Sequence, residues 1–459
     1  MTGAHRTTYD GASVLVAGAG RSGAAAARAL RDRGARVTVA EVSEERAQPL
    51  REDGFAVVDA AVPPDGTDLV VTSPGWRPDS PLLVAAAAAG LEVLGEVELA
   101  WRLRDPLVPW LAVTGTNGKT TTVKMLEAVL SAAGLRTVAT GNVGLPVVEA
   151  VAGPYDVLAV ELSSFQLHWS STVRPAAGAV LNVADDHTDW HGSFQDYALA
   201  KAKVLDAATS IAGADDEVSR TLLNRARGRR VTFTLQAPRP GELGVVEGLL
   251  LDRAFTRADS TEVPGEATEL ASTADLAVPG PHNVANALAA AALARAHGVP
   301  AGAVRDGLRV FRSEPHRNEL VASAAGVAWV DDSKATNPHA AAASLASYAP
   351  VVWIAGGLLK GADVDDLVRR AAPRLRAAVL LGTDRAVLAE ALARHAPQVP
   401  VVEVDRLDTG AMLDAVTAAR RLAVPGDTVL LAPAAASMDC FRDYAERGAL
   451  FASAARDGA

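Results

Sequence analysis

Trp110-Leu-Ala-Val-Thr-Gly115-Thr-Asn-Gly118-Lys119-Thr120-Thr121 is the stretch from which the fold can be read. Trp110–Thr114 is apolar or β-branched and predicts a buried strand. A turn punctuated by two glycines follows, and Lys119 opens a helical stretch. Strand, tight turn and helix in this order are the unit of a parallel α/β sheet. Glycines let the backbone turn sharply, so that its N–H groups and the helix N-terminus face an anion. Lys119 is then placed to neutralise the β- and γ-phosphates of ATP, and the Thr120 hydroxyl to ligate Mg2+. Gly115, Thr116, Asn117, Gly118 and Thr121 complete the candidate loop. The usual form of this loop has glycine where Val113 stands, so the strict pattern is not met. The flanking strand and helix supply the context that a chance Gly-Lys-Thr lacks.

The same alternation extends in both directions. Upstream, strands are expected at Ser13–Ala17, Arg36–Ala40 and Leu69–Thr72, with a helix around Glu96–Arg104. Pro106 and Pro109 then interrupt the chain and mark a first boundary. Downstream, strands at 157–161 and 179–181 lead to a helix over 283–297, and the polar stretch 312–318 marks a second boundary. Strands at Val327–Asp331, 351–354, 378–381 and Thr428–Leu431 build a third region. Residues 217–277 carry scattered short strands (231–234, 249–251) among turn residues, and predict a small β excursion of the middle region. The expected fold is therefore α/β in three domains: 1–106 and 314–459 Rossmann-like, and 107–313 a central ATP-binding domain of P-loop type.

Composition narrows the function classes. The 459 residues are 49% hydrophobic and 21% charged, as in a globular protein of several domains. No apolar run suffices to cross a bilayer, and residues 1–10 lack a hydrophobic signal core, so no membrane insertion is expected. The single cysteine, Cys440, excludes an intramolecular disulfide and fits a reducing cytoplasm. A formal net charge of −10 argues against nucleic acid as a partner. Anionic ligands must then be held by local amide-rich or basic sites.

A second such site opens the chain. Gly18-Ala19-Gly20-Arg21-Ser22-Gly23 follows the first strand and begins a helix, and Glu41 ends the next strand, which is the dinucleotide-binding fingerprint in its expected setting. NAD and a dehydrogenase would satisfy it. Physically, however, it asks only for an anion on backbone amides and a carboxylate for a ribose hydroxyl, and NAD leaves the ATP loop without a task. A nucleotide diphosphate attached to another group fits equally. Ser73-Pro74-Gly75, after the strand Leu69–Thr72, could close over the same crevice.

In the middle region, Glu161-Leu-Ser163-Ser164 ends one strand and Asn182-Val-Ala-Asp185-Asp186-His187 follows another. Carboxyl ends of parallel strands are where ligands sit, so Glu161 can reach the Mg2+ that accompanies Lys119 and Thr120. His187 fits a metal or substrate contact and a solvated loop histidine equally well. Lys201 reads from spacing as an ordinary helix lysine.

Together these segments resemble the Mur ligases, which build the peptide stem of peptidoglycan, over essentially the whole chain. Gly115–Thr121 resembles all members. Glu161-Leu-Ser-Ser-Phe-Gln-Leu167, Asp332-Ser-Lys-Ala-Thr-Asn337 and Pro433-Ala-Ala-Ala-Ser437-Met-Asp-Cys-Phe441 resemble the branch that adds D-glutamate. The resemblance implies a cytoplasmic, monomeric ligase that uses ATP and two Mg2+ to join D-glutamate to UDP-N-acetylmuramoyl-L-alanine through an acyl phosphate. It implies that Gly18 to Gly23, Glu41, Ser73, Gly75, Asn142 and Ser163 meet the UDP-substrate, although aspartate is usual at Glu41. It implies that His187 and a carbamylated Lys201 hold the second Mg2+. Asn283 and Asn286 match adenine contacts, and Arg317 and Asp332 match ATP contacts from the third domain. Lys334 would add positive charge near the transferring phosphoryl group, making Lys119, His187, Lys201 and Lys334 the catalytic set. Thr336, Lys360, Ser437, Met438 and Tyr444 match the D-glutamate site, where phenylalanine is commoner at Tyr444. A folylpolyglutamate synthase would share the fold but lacks the 161–167 and 332–337 patterns.

Overall fold

The structure is a computed structural model that describes residues 9–255, 267–278 and 280–457. The described residues form three sheets. The first has five parallel strands in the spatial order Ala56–Val58, Arg36–Ala40, Ser13–Ala17, Leu69–Thr72 and Glu92–Gly95. The first strand in sequence lies at the centre, and the chain winds outward from it on both sides. Its carboxyl end is thus a switch point, where diverging crossovers leave a crevice.

The second sheet has nine strands. In spatial order they are Thr268–Ser272, Leu249–Asp252, Glu242–Val246, Arg229–Phe233, Thr209–Gly213, Ala177–Val180, Trp110–Thr114, Leu158–Glu161 and Ala139–Gly141. Among the described residues, only the pairings of Leu249–Asp252 with its two neighbours are antiparallel. The stretch expected as a β excursion is continuous with this sheet, and it begins with a helix, Glu217–Leu223. The strand expected at 179–181 runs over Ala177–Val180 instead. Gly178 explains the shift: a Cβ there would overlap the Val204 carbonyl, so the strand interior lies flush against the turn beyond helix Phe194–Ala202. A glycine at that position hid the strand from a reading based on β-branched residues.

The third sheet orders Glu319–Ala324, Val327–Asp331, Thr428–Leu431, Val351–Gly356, Leu375–Leu381 and Val401–Glu403, with only the first strand antiparallel. Period-two alternation feeds two cores from one strand. Val351, Trp353 and Ala355 enter one apolar cluster, and Val352 and Ile354 the other.

The chain divides into two compact units. One ends at Asp275 and resumes over Ala285–Val310, and the other takes Leu276–Val284 and the chain from Phe311 onward. The first two sheets share the first unit and are bolted together by helix Glu96–Leu103. The Glu98 carboxylate accepts from Ser171 N–H (2.9 Å), Thr172 N–H (2.9 Å) and the Thr172 hydroxyl (2.5 Å), and Glu96 accepts from Val148 N–H (2.6 Å). Among the described residues, no helix is long and apolar enough to cross a membrane.

Candidate active site

Trp110–Thr114 lies between Leu158–Glu161 and Ala177–Val180, so three strand ends converge on one edge. The chain turns there through Gly115–Gly118, with Gly118 at φ +84°. The turn is tethered from the neighbouring strand end. Thr116 N–H donates to the Asn182 carbonyl and Asn117 N–H to Asn182 Oδ1, both at 2.9 Å, while Asn182 Nδ2 donates to the Asn117 carbonyl at 3.1 Å. The Thr116 hydroxyl lies 2.9 Å from that of Tyr197 and accepts from Ala184 N–H at 3.0 Å. A loop held this way keeps its shape before any anion arrives, which is the requirement for electrostatic preorganisation. Lys119 begins helix Lys119–Ala132, and its Nζ donates to the carbonyls of Gly115 (2.8 Å) and Thr116 (2.9 Å). Phosphate oxygens are stronger partners than carbonyls, so a triphosphate in the loop draws this ammonium outward. Thr120 is buried, Thr121 partly so, and Asn286 lies against Gly118.

Glu161 is 1% exposed, and Asn142 Nδ2 donates to its Oε1 at 2.8 Å. Its Oε2 is buried without a hydrogen-bond partner among the described residues. An unpartnered buried carboxylate oxygen is costly, and a cation removes that cost. Lys201, expected from spacing to be an ordinary helix residue, is 2% exposed, and its Nζ donates to the Gly115 carbonyl at 2.8 Å. Burial, and then the charge of Lys119, hold its amine well below the usual lysine range against the pull of Asp186 and Glu161. His187 has φ +53°, and its ring lies 4.8 Å from Phe165 and 6.3 Å from Tyr197. Burial lowers its pKa although Asp186 pulls it up, leaving a neutral imidazole with a lone pair. The Glu161 carboxylate and the Thr120 hydroxyl suit the oxygen preference of Mg2+. An ammonium at Lys201 is no ligand, whereas a carbamate there would be one.

On the first sheet, Gly18 turns at φ +97°, and a Cβ on Gly23 would overlap the Gly18 carbonyl, so helix Arg21–Arg31 packs directly on the turn. A cavity of about 440 Å3 opens there, lined by Gly18, Gly20, Arg21, Ser22, Glu41, Arg46, Ser73, Pro74, Gly75 and Trp76. Glu41 is less available than its position at a strand end suggests. Its Oε2 accepts from Ala19 N–H (2.9 Å), and its Oε1 from Val42 (3.0 Å) and Ser43 (2.9 Å). Burial pushes its pKa up, but these donors outweigh that and hold it below the usual range. Three of its roughly four acceptor positions are already used. Arg21 donates to the carbonyl of Gly144, in the bend after strand Ala139–Gly141. Ser163 is engaged in a capping box with Gln166 at the start of helix Ser164–His168.

In the second unit, Asp332 follows strand Val327–Asp331, and burial pushes its carboxyl up to about 6; Asn318 Nδ2 donates to it at 3.2 Å. Lys334 Nζ lies 3.6 Å from the centre of the Tyr444 ring, a cation–π contact. Arg317 Nε is 3.7 Å from Glu314, and its neighbour His316 places Nδ1 2.6 Å from the buried Asp331. Leu358 and Ala436 exchange backbone hydrogen bonds at 2.9 Å, joining the loops that carry Lys360 and Ser437. Lys360 is exposed with φ +55°, Ser437 is buried and Met438 exposed. Thr336 N–H donates to the Lys334 carbonyl at 2.8 Å. Asn283, near the start of helix Pro281–Ala296, is buried.

Sequence comparison matches a model of the Mur ligase middle domain to residues 113–294, and one of the Mur ligase glutamate ligase domain to 316–435. A model of the TrkA-N domain matches residues 14–67. The UDP-N-acetylmuramoylalanine–D-glutamate ligase of Thermobifida fusca is 61% identical, covering 97% of this chain and 98% of that protein. The chain belongs to the Mur ligase family. The enzyme of the same name from Streptomyces avermitilis is 56% identical over 98% of this chain and 99% of its own. Among solved structures, MurF from Acinetobacter baumannii superposes with a TM-score of 0.61 at 18% identity, covering 92% of this chain and 91% of that one. UDP-N-acetylmuramate-alanine ligase from Thermotoga maritima does so at 0.58 and 20%, covering 98% and 100%. At such identities these two show the fold alone.

Within this Mur ligase, three side chains in or beside the sites escaped the sequence reading. Arg447 is wholly buried in helix Tyr444–Arg456 and donates to the Ser333 hydroxyl (3.0 Å), the Ser333 carbonyl (2.9 Å) and the Ala435 carbonyl (3.1 Å). An arginine in the first turn of a helix ordinarily reads as solvated, so no local signal marks it. Arg46 and Trp76 line the N-terminal cavity, and only the folding of two separate turns brings them there.

Proposed function

We infer that this chain is the ATP-dependent ligase that joins D-glutamate to UDP-N-acetylmuramoyl-L-alanine through an acyl phosphate, in the synthesis of peptidoglycan precursors. The observation that carries the reading is the convergence on one sheet edge of the Lys119 loop, the unpartnered buried oxygen of Glu161 and the buried amine of Lys201. The names of the full-length relatives support the choice of amino acid. The proposed domains are 1–106 for the UDP-substrate, 107–313 for ATP and 314–459 for D-glutamate, in a cytoplasmic monomer.

Thr120 and Glu161 would hold one Mg2+, and His187 with Lys201 as its carbamate a second. These ions would screen the charge that keeps a carboxylate from a triphosphate. Lys119 leaves the Gly115 and Thr116 carbonyls to pair with the β/γ-phosphates, while Asn182 keeps the loop in shape. The terminal L-alanine carboxylate oxygen bonds to the γ-phosphorus, and ADP departs. Lys334 lowers the cost of the charge on the transferring group. Asn283 and Asn286 hold adenine, and Arg317 and Asp332 hold the rest of ATP. Thr336, Lys360, Ser437, Met438 and Tyr444 orient D-glutamate so that its free amine attacks the acyl-phosphate carbon and expels phosphate. Charge-assisted contacts suit the two carboxylates of that substrate.

The test is phosphate release with UDP-N-acetylmuramoyl-L-alanine, D-glutamate, ATP and Mg2+, omitting one component at a time. Release should need all four and should fail with L-glutamate or L-alanine in place of D-glutamate. Equal turnover with any of the three amino acids would refute the assignment.

A further inference from the structure

Trp76 and Arg46 have no role in the reading above, yet both line the cavity beside the Gly18 turn. Trp76 follows the turn Ser73–Gly75 and packs partly on an apolar cluster that includes Leu15, Ala17 and Val70. A Cβ placed on Gly18 would stand 2.8 Å from Trp76 Nε1 and 2.8 Å from Ser73 Oγ. An indole N–H and a hydroxyl therefore overhang the glycine that turns the chain into helix Arg21–Arg31. No described residue accepts a hydrogen bond from that indole.

The turn is poorer in donors than its glycines suggest. Ala19 N–H, which an anion would otherwise use, already donates to Glu41 at 2.9 Å. Glu41 also brings a negative charge to the cavity that must admit a diphosphate. Such a site needs a replacement donor and a compensating cation. Arg46, in the first turn of helix Glu44–Glu52, is the cation on the Glu41 side and is in no ion pair among the described residues.

We propose that Trp76 and Arg46 bind the nucleotide diphosphate of the substrate, Trp76 through its indole N–H beside Gly18 and Arg46 as the cation that offsets Glu41. The proposal rests on the reading that the substrate is a UDP-sugar. Neither residue reacts; both hold the substrate, so their removal acts on KM rather than kcat.

The test compares the parent protein with Trp76→Phe, which keeps the packed ring but loses the donor, and Arg46→Gln. UDP alone is titrated by calorimetry and by tryptophan emission, and steady-state constants are measured for all three substrates. Each variant should bind UDP about tenfold more weakly, with a matching rise in KM for the UDP-substrate. KM for ATP and for D-glutamate should stay within twofold, which also shows that the variants fold. UDP should change the emission of the parent and leave that of Trp76→Phe nearly unaltered. UDP affinities within twofold of the parent in both variants would overturn the proposal. A parent that binds UDP through these residues but forms no peptide bond would sink the proposed reaction and leave this site standing.

Discussion

The Oδ1 of Asn286 occupies the space that a Cβ on Gly118 would need. Helix Pro281–Ala296 thus presses Asn286 against the turn Gly115–Gly118, and glycine is the residue that admits it. Gly118→Ala adds this clash to a left-handed φ of +84°, which alone costs roughly 1–2 kcal/mol in a residue with a side chain. The expected result is a lower Tm and a KM for ATP raised by about tenfold or more. Adding Asn286→Ala should recover part of the lost stability, because the clash goes and the dihedral strain stays. No recovery in thermal melts of the double variant would mean that Asn286 is not the obstacle.

Glu161→Gln retains the acceptor for Asn142 Nδ2 and removes the charge from the unpartnered side. If Glu161 holds Mg2+ as proposed, turnover should fall by about 10^2-fold or more, since the lost charge sits at a phosphoryl-transfer site. Without Mg2+ the variant should be no less stable than the parent, since burying an amide costs less than burying an unpaired carboxylate. Differential scanning fluorimetry with and without Mg·ATP checks both halves. A Mg·ATP-induced rise in Tm equal to that of the parent counts against Glu161 as a ligand.

Lys201 is buried and its amine is held below the ordinary range, which supplies the neutral form that CO2 requires. Activity should therefore fall in CO2-depleted buffer and return with bicarbonate, whereas Lys201→Arg should be inactive under both conditions. A parent enzyme indifferent to bicarbonate would remove the carbamate from the mechanism.

Arg447 ties Ser333 to Ala435 by a fork of donors, so one side chain secures the loops that carry Lys334, Thr336 and Ser437. Arg447→Met takes the donor from the Ser333 and Ala435 carbonyls in the interior, while the Ser333 hydroxyl keeps its bond to the Tyr444 carbonyl, and should cost about 2–4 kcal/mol. KM for D-glutamate should rise more than KM for the UDP-substrate. Arg447→Lys should rescue little, because a point charge cannot reproduce the planar fork. Full rescue by lysine would show that charge, not geometry, is what the loops need.

Burial pushes the Glu96 carboxyl up to about 7 from an ordinary value of 4.5. Below pH 4.5 the folded and unfolded chains both hold this proton, and the group costs nothing. Between those values only the unfolded chain releases it, so stability falls as pH rises, by about 1.4 kcal/mol per unit and roughly 3 kcal/mol in all. Above about pH 7 the loss is constant. Glu96→Gln should converge with the parent near the acid end and exceed it in Tm at alkaline pH. Parallel melting curves for the two proteins across that range would contradict the raised pKa.

The strands Ser13–Ala17, Arg36–Ala40, Leu69–Thr72, Trp110–Thr114, Val327–Asp331 and Thr428–Leu431 have the bounds that their apolar runs predict. All but Arg36–Ala40, whose first residues reach solvent, are buried along most of their length, and that burial needs a run of apolar residues that a linear reading can see. The turn Gly115–Gly118 and the helix start at Lys119 are legible for the same reason, since the residues that form them lie within five positions. Ala177–Val180 was displaced by its glycine. The short strands expected within 217–277 are there, but edge strands are short and mixed in character, and only pairing reveals that they extend the sheet of the middle region.

Local order along the chain decided which segments are strands and where the backbone turns through glycine, because these depend on neighbours within a few positions. Folding decided the rest. It buried Lys201 beside Lys119, left one oxygen of Glu161 without a partner, occupied Glu41 with backbone donors, and brought Arg46 and Trp76 to one cavity. Burial and charge proximity are properties of three-dimensional distance, and residues separated by tens of positions acquire them only when strand ends from separate crossovers meet at one edge of a sheet.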